Sequence, residues 1–366
     1  MKKPELCTKP EQKNVKIRVD SHSEIRFILY ANKISADIYV GKTELRSGGR
    51  PMEKTIKKVV VAGGGLMGAG ISLMFPENGI ETVLYSVAEK DFEKAGKVID
   101  KSLAALVENR CLTRQAADEI KEKIQFTVDK KCFENADLVI EAIPEIMNLK
   151  KNFYEEVSEL VPEDTILASN TSAISVNQLS EFVKFPERFC GTHFLNPPHI
   201  IPLVEITKGD KTDQAVCETL YTLFKDMGKE PVLLKKDVKG FLSNRLQFAL
   251  LREATYLVEQ GVADPEDIDR TIKYGNGLRY TCSGPFKIAD LGGLSVFNSV
   301  AKYLYSDLSD EKGENHLLDE LVEEGNNGIS TGKGFYEYQE SDLVNEEKTR
   351  DAMILGILKA EKELLA

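Results

Sequence analysis

A chain of 366 residues can bury two hydrophobic cores without disulfide or metal staples, and 42% apolar with 29% charged residues is the balance of a globular protein rather than a disordered one. Lys and Arg number 48 against 59 Asp and Glu, a formal charge of -11 that excludes broad binding to nucleic-acid backbones. Six scattered cysteines without a CxxC, and only four histidines, indicate neither a disulfide framework nor a metal site and suit a reducing compartment. The basic N-terminus is followed by no apolar segment, and no window approaches about 18 uninterrupted apolar residues. Neither a signal peptide nor a membrane span is expected, and the expected address is cytoplasmic.

Residues 1–56 read as a strand-rich N-terminal appendage of unknown role, with short stretches KIRV, IRFILY and ADIYV before the breaker-rich SGGRPMEK. Residues 57–238 alternate apolar runs with helical stretches. IKKVVVA, ETVLYS, FTV, DLVIEAI and TILAS read as strands, Leu66 to Phe75 as a helix, and about 89–124 as one long helical region. Strands separated by helices imply an α/β doubly wound, Rossmann-like, mostly parallel sheet. From 239 to 340 the periodicity is helical, giving an all-helical domain for substrate and dimerisation. A helical tail over 341–366 places Met353, Ile354, Ile357 and Leu358 on one stripe suited to docking.

Within VVVAGGGLMGAGI, Gly63, Gly65 and Gly68 occupy G-x-G-x-x-G between a strand and a helix, with Leu66 and Met67 in the same turn. The first glycine permits the tight turn, the second lets backbone approach a pyrophosphate, and the third lets helix pack on sheet. A dinucleotide is therefore the expected cofactor. The acid expected at the end of the second strand, to bond the adenosine ribose, is replaced by Ser86 in VLYSVAEK. NAD is the first expectation; NADP is possible because the carboxylate is missing there, with Lys90 nearby but no Arg following.

His193 lies in GTHFLNP, and Glu205 ends an apolar run twelve residues later. An imidazole can take an alcohol's proton while a carboxylate on its other nitrogen fixes the tautomer; an ordinary structural histidine with a surface glutamate is the plainer alternative. Ser172 in SNTS and Asn244 in FLSNR offer a hydroxyl and an amide for a reacting oxygen, or simply local caps.

The segments GGGLMGAGI, DLVIEAIPEIMNLK, SNTSAIS, ERFCGTHFLNPPHIIPLVEI, KKDVKGFLSNR and GPFKIADLGGL together resemble the 3-hydroxyacyl-CoA dehydrogenase family over about 57–340. The resemblance implies that His193 is the general base paired with Glu205, that Ser172 and Asn244 hold the reacting oxygen, and that Asn196 supports the pocket. It also implies that Glu145 and Lys150 lie near the nicotinamide end of NAD, that no metal is needed, and that the protein is a homodimer. A 3-hydroxyacyl-CoA is the first substrate expectation. Ser102 is retained in KSLAALVENRCL, but Asn109 stands where a CoA-binding lysine is expected, beside Arg110. NPPHIIPLVEI, Arg279 in KYGNGLRYTCSGPF and the tail are similar to the branch that oxidises small carboxylated alcohols, such as sugar acids, carnitine or pyridine-carboxylate alcohols; there Arg279 would grip the carboxylate. A cofactor-binding regulatory or structural protein without turnover is the expectation from another class.

Overall fold

The strand β1 (Lys58–Ala62) is apolar from Val59 to Ala62 because it is covered on both faces: Val59 and Val61 face one core, Val60 and Ala62 the other. The structure, a computed structural model, describes residues 54–313 and 315–365, so the strands expected over 15–39 lie outside the described residues. β1 lies in an eight-stranded sheet with β2 (Glu81–Tyr85), β3 (Ile124–Thr127), β4 (Leu138–Glu141), β5 (Ile166–Ser169), β6 (Phe189–Phe194), β7 (Leu203–Lys208) and β8 (Glu230–Leu234), in the order β3-β2-β1-β4-β5-β6-β7-β8. Every pairing is parallel except β6 with β7.

Helices cover both faces. On one side α1 (Leu66–Ser72), α2 (Lys90–Glu108), α3 (Arg114–Glu122) and α6 (Gln214–Asp226) bury Ile71, Ile99, Ile120 and Phe224; on the other α4 (Met147–Leu160) and α5 (Val176–Ser180) bury Tyr154 and Leu179. The doubly wound reading of 57–238 is thus the architecture seen. Its details differ in three places. The helical stretch over 89–124 breaks into α2 and α3 where Arg110 turns back at φ 57 and the Thr113 hydroxyl accepts from the Ala116 N–H. α1 stops at Ser72, short of the expected Phe75. β6, β7 and β8 carry polar residues that conceal them from a search for apolar runs.

From 243 onward the chain is helical: α7 (Ser243–Glu259), α8 (Pro265–Thr271), a π-helical turn at Ile272–Asn276, α9 (Gly277–Cys282), α10 (Pro285–Gly292), α11 (Leu294–Leu304), α12 (His316–Glu323) and α13 (Asp342–Leu365). Among the described residues of 242–365, Thr255 alone is buried, while Phe248, Phe286, Leu291 and Tyr303 are exposed. α13 returns to the sheet domain, where Glu347 pairs with Lys101 of α2.

Two glycines of the first turn are sterically required. A Cβ on Gly63, whose φ is 127°, would lie 2.4 Å from the Ala142 carbonyl oxygen, and one on Gly68 would lie 1.9 Å from the Gly63 carbonyl oxygen. Gly65 has φ -81°, and a Cβ there would meet nothing within 4 Å. We therefore expect Gly68→Ala to cost about 3 kcal/mol or more in urea unfolding and Gly65→Ala about 1 kcal/mol or less. Equal midpoints for the two variants would contradict this packing of helix on strand.

Candidate active site

The antiparallel register of β6 and β7 sets His193 directly opposite Glu205. Both side chains are buried, and His193 Nδ1 lies 2.7 Å from Glu205 Oε2. Burial by itself would raise the Glu205 pKa, but the His193 bond and the N–H groups of Ser243 and Leu242, 2.9 and 2.8 Å from Oε1, outweigh it and hold the group below its ordinary value. An ionised carboxylate only accepts, so Nδ1–H is the donor of this bond, and in the neutral ring Nε2 presents a lone pair. The Ser172 hydroxyl lies 3.1 Å from that Nε2. Asn244, in the first turn of α7, donates to the Ser172 carbonyl at 3.3 Å. His193, Glu205, Ser172 and Asn244 are thus brought together from β6, β7, the loop after β5 and α7.

The two donors to Glu205 directly follow a turn with positive φ, Gly240 at 73° and Phe241 at 50°. For a phenylalanine this conformation costs on the order of 1 kcal/mol, and it lays the ring 5.4 Å from the imidazole.

Glu145 and Lys150 belong to a second polar assembly behind Ser172. Glu145 Oε1 accepts from the Thr171 hydroxyl and from the N–H groups of Ser172, Ala173 and Ile174, so it shapes the loop that carries Ser172. Lys150 is 1% exposed and bridges Glu145 Oε2 at 3.1 Å and Glu141 Oε1 at 2.6 Å. Glu141, fully buried at the end of β4, also accepts from Ile143 N, Tyr154 Oη and Ser169 Oγ. A buried charge so completely bonded is a positioning device. Glu141 is legible, in retrospect, as the acid closing the apolar run DLVIEAI.

Other expected residues lie elsewhere. Asn196 is exposed, in a cis peptide bond with Pro197, after β6. Arg279 is exposed on α9 and donates to Asn276 at 2.6 Å, and none of the hydrogen bonds of the His193 group reaches it. Ser86 is buried just beyond β2 and donates to Asp91 Oδ2 at 2.6 Å. Leu66 and Met67 open α1 beside Gly65, with Leu66 exposed. The open space above Gly65, in a turn packed tightly at Gly63 and Gly68, is the cradle a dinucleotide pyrophosphate requires, and the residues present fit that group. Among the described residues, no cluster of three or more His, Cys, Asp or Glu is placed to hold a metal, and no helix is long and apolar enough to cross a membrane.

This sheet, its glycine turn and the buried His–Glu pair define an NAD-binding oxidoreductase of the dehydrogenase type. Residues 58–238 match the NAD binding domain of 3-hydroxyacyl-CoA dehydrogenase and residues 240–338 its C-terminal domain, and the chain belongs to the 3-hydroxyacyl-CoA dehydrogenase family. It is 36% identical over 290 residues to 5-formyl-3-hydroxy-2-methylpyridine 4-carboxylate 5-dehydrogenase of Mesorhizobium japonicum, covering 77% of this chain and 91% of that relative. It is 34% identical over 282 residues to 3-hydroxybutyryl-CoA dehydrogenase of Clostridioides difficile, covering 77% and 99%. Among solved structures, an NAD-dependent dismutase, 5-formyl-3-hydroxy-2-methylpyridine 4-carboxylic acid 5-dehydrogenase, superposes with a TM-score of 0.78 at 33% identity, over 84% of this chain and 98% of that one.

His199 follows the same cis-proline loop. Both of its ring nitrogens are shut off from solvent and unpartnered, and burial, with the cations of Lys229 and Arg350, lowers its pKa from 6.5 to about 4. Between those two values the unfolded chain binds a proton that the folded chain does not, so stability falls as pH drops through this window. From pH 7 to pH 5 the loss from this one group is about 2 kcal/mol. Urea unfolding of His199→Gln should show a pH 7 to 5 decline smaller by that amount; an unchanged decline would contradict it.

Proposed function

We propose that the chain oxidises the hydroxyl-bearing carbon of a small free carboxylic acid, of the pyridine-carboxylate kind, with NAD as hydride acceptor. This replaces the first expectation of a 3-hydroxyacyl-CoA. The observation that carries it is the joint sequence and structural likeness to the pyridine-carboxylate dehydrogenase. The α2 helix supports it: Ser102 is buried, Asn109 turns back to bond the Ala105 carbonyl, and Lys101 is taken by Glu347 of α13. Of the residues weighed for the acidic nucleotide of CoA, Ser102 is thus covered and Asn109 bonded within the protein, while Arg110 is exposed.

In this mechanism Glu205 keeps Nδ1 protonated, so Nε2 is the base. The substrate hydroxyl sits between Nε2 and the Ser172 hydroxyl and gives its proton to Nε2, and the imidazolium that forms faces the Glu205 carboxylate. The bound nicotinamide supplies the acceptor for the hydride that leaves the same carbon. In the reverse direction Ser172 donates to the oxygen on which negative charge develops. Glu145 positions Ser172 through the loop amides, and Asn244 secures that loop from the helical segment. Gly63, Gly65, Leu66, Met67 and Gly68 form the seat of the dinucleotide. Arg279 is assigned to the substrate carboxylate on the likeness to the small-acid branch, and its guanidinium is exposed and donates to Asn276.

Large apolar side chains of α7, α10 and α11, among them Phe248, Phe286, Leu291 and Tyr303, are exposed, and a second copy of the chain is the partner we assign to them. The five free cysteines among the described residues suit a reducing, cytoplasmic setting.

Absorbance at 340 nm with pyridine-carboxylate alcohols and aldehydes, small hydroxy acids and 3-hydroxybutyryl-CoA tests the substrate class. Turnover of free acids, at a kcat/KM at least about 100-fold above that of the thioester, is expected, corresponding to about 3 kcal/mol of discrimination. Preference for the thioester would overturn the proposal.

A further inference from the structure

We infer that Asp91 supplies the carboxylate that recognises the adenosine ribose, a role left open by Ser86, and that it makes the chain selective for NAD over NADP. The inference rests on the dinucleotide seat and not on the choice of substrate.

The carboxylate that discriminates the two dinucleotides must stand at the C-terminal edge of β2, next to the glycine turn, where it accepts from the ribose 2′-hydroxyl and repels a 2′-phosphate. β1 and β2 run in register, Ala62 beside Tyr85, and the Gly63 N–H bonds the Tyr85 carbonyl at 2.8 Å, so Ser86 lies beside the turn. Its side chain is buried and carries no charge, and its hydroxyl lies 2.6 Å from Asp91 Oδ2. The chain therefore returns a carboxylate to this place from five residues further on.

Packing fixes the carboxylate there. A Cβ built on Gly64 would lie 3.1 Å from Asp91 Cβ and 3.5 Å from Ser86 Cβ, so the Ser86–Asp91 pair sits directly against the glycine turn. The Asp91 N–H bonds the Ala88 carbonyl at 3.1 Å, closing the short turn that swings Asp91 back over Ser86. Asp91 remains partly open to solvent, and Ser86 engages Oδ2, which leaves Oδ1 for a ligand hydroxyl. Lys90, the neighbouring cation, is exposed. A serine at the usual acidic position, which by itself opens the site to a 2′-phosphate, thus becomes the anchor of a displaced acid.

Equilibrium binding of NADH and NADPH to the full chain, read by nicotinamide fluorescence, tests this in the wild type, Asp91→Asn, Asp91→Ser and Ser86→Ala. The wild type should bind NADH more tightly than NADPH. Either Asp91 variant should lose about 10- to 100-fold in NADH affinity, the value of a hydrogen bond to a charged group, with NADPH affinity unchanged or improved. Ser86→Ala should show a smaller loss of the same sign. An NADH-to-NADPH affinity ratio in Asp91→Asn within about threefold of the wild-type ratio would overturn the inference alone. Failure of the wild type to bind either dinucleotide would overturn the cofactor seat and the inference together.

Discussion

Glu205 is sealed from water, and each of its oxygens has a separate duty. Oε2 holds His193 across the one antiparallel pairing of the sheet, and Oε1 takes the amides of Leu242 and Ser243 where the helical segment begins. Burying a carboxylate is costly unless every oxygen is bonded, so the charge on Glu205 obliges sheet and helical segment to meet at one place. The left-handed backbone at Gly240 and Phe241 is the local concession that brings those amides within reach. The proposed proton-transfer site is therefore made by a contact that joins the two parts of the chain.

The antiparallel pair follows from the linker. β6 and β7 are joined by the few residues of a loop containing Pro197 and Pro198, too short for the crossover a parallel neighbour requires. The loop packs on α1, where Gly70 leaves room for Pro198: a Cβ there would be 2.7 Å from the proline ring. The site is thus tied at one end to the glycine-turn helix and at the other to α7. Behind it, the buried Glu141 and Lys150 and the exposed Glu145 form a charged chain that fixes the Ser172 loop independently of Glu205.

Much of this was legible from residue order. VVVA, TVLY, LVIE and ILAS are continuous apolar runs because their strands are covered on both sides, and the glycine turn declared itself by spacing. β6 and β7 escape a search for apolar runs because FCGTHF and LVEITK interleave polar residues with apolar ones, among them His193 and Glu205, which bond one another inside the sheet. For the same reason His193 and Glu205 stood out as chemistry before their strands were visible as structure. Ser172 and Asn244 were found through the family resemblance. Glu141 was passed over inside an apolar strand, and Asp91 was hidden in the charged opening of α2, where nothing in AEKDFEK distinguishes one acid from its neighbours. Arg279, singled out through the likeness of KYGNGLRYTCSGPF to the small-acid branch, sits exposed with Asn276.

The central claim is that His193, held by Glu205, accepts the substrate proton, and a single-turnover measurement tests it most directly. Enzyme in excess over a turned-over hydroxy acid, mixed rapidly with NAD and followed at 340 nm, should show His193→Gln slowed by about 100- to 10,000-fold while its NADH affinity stays at the wild-type value. A single-turnover rate within about fivefold of wild type would contradict the account, because it would mean that the proton leaves by another route.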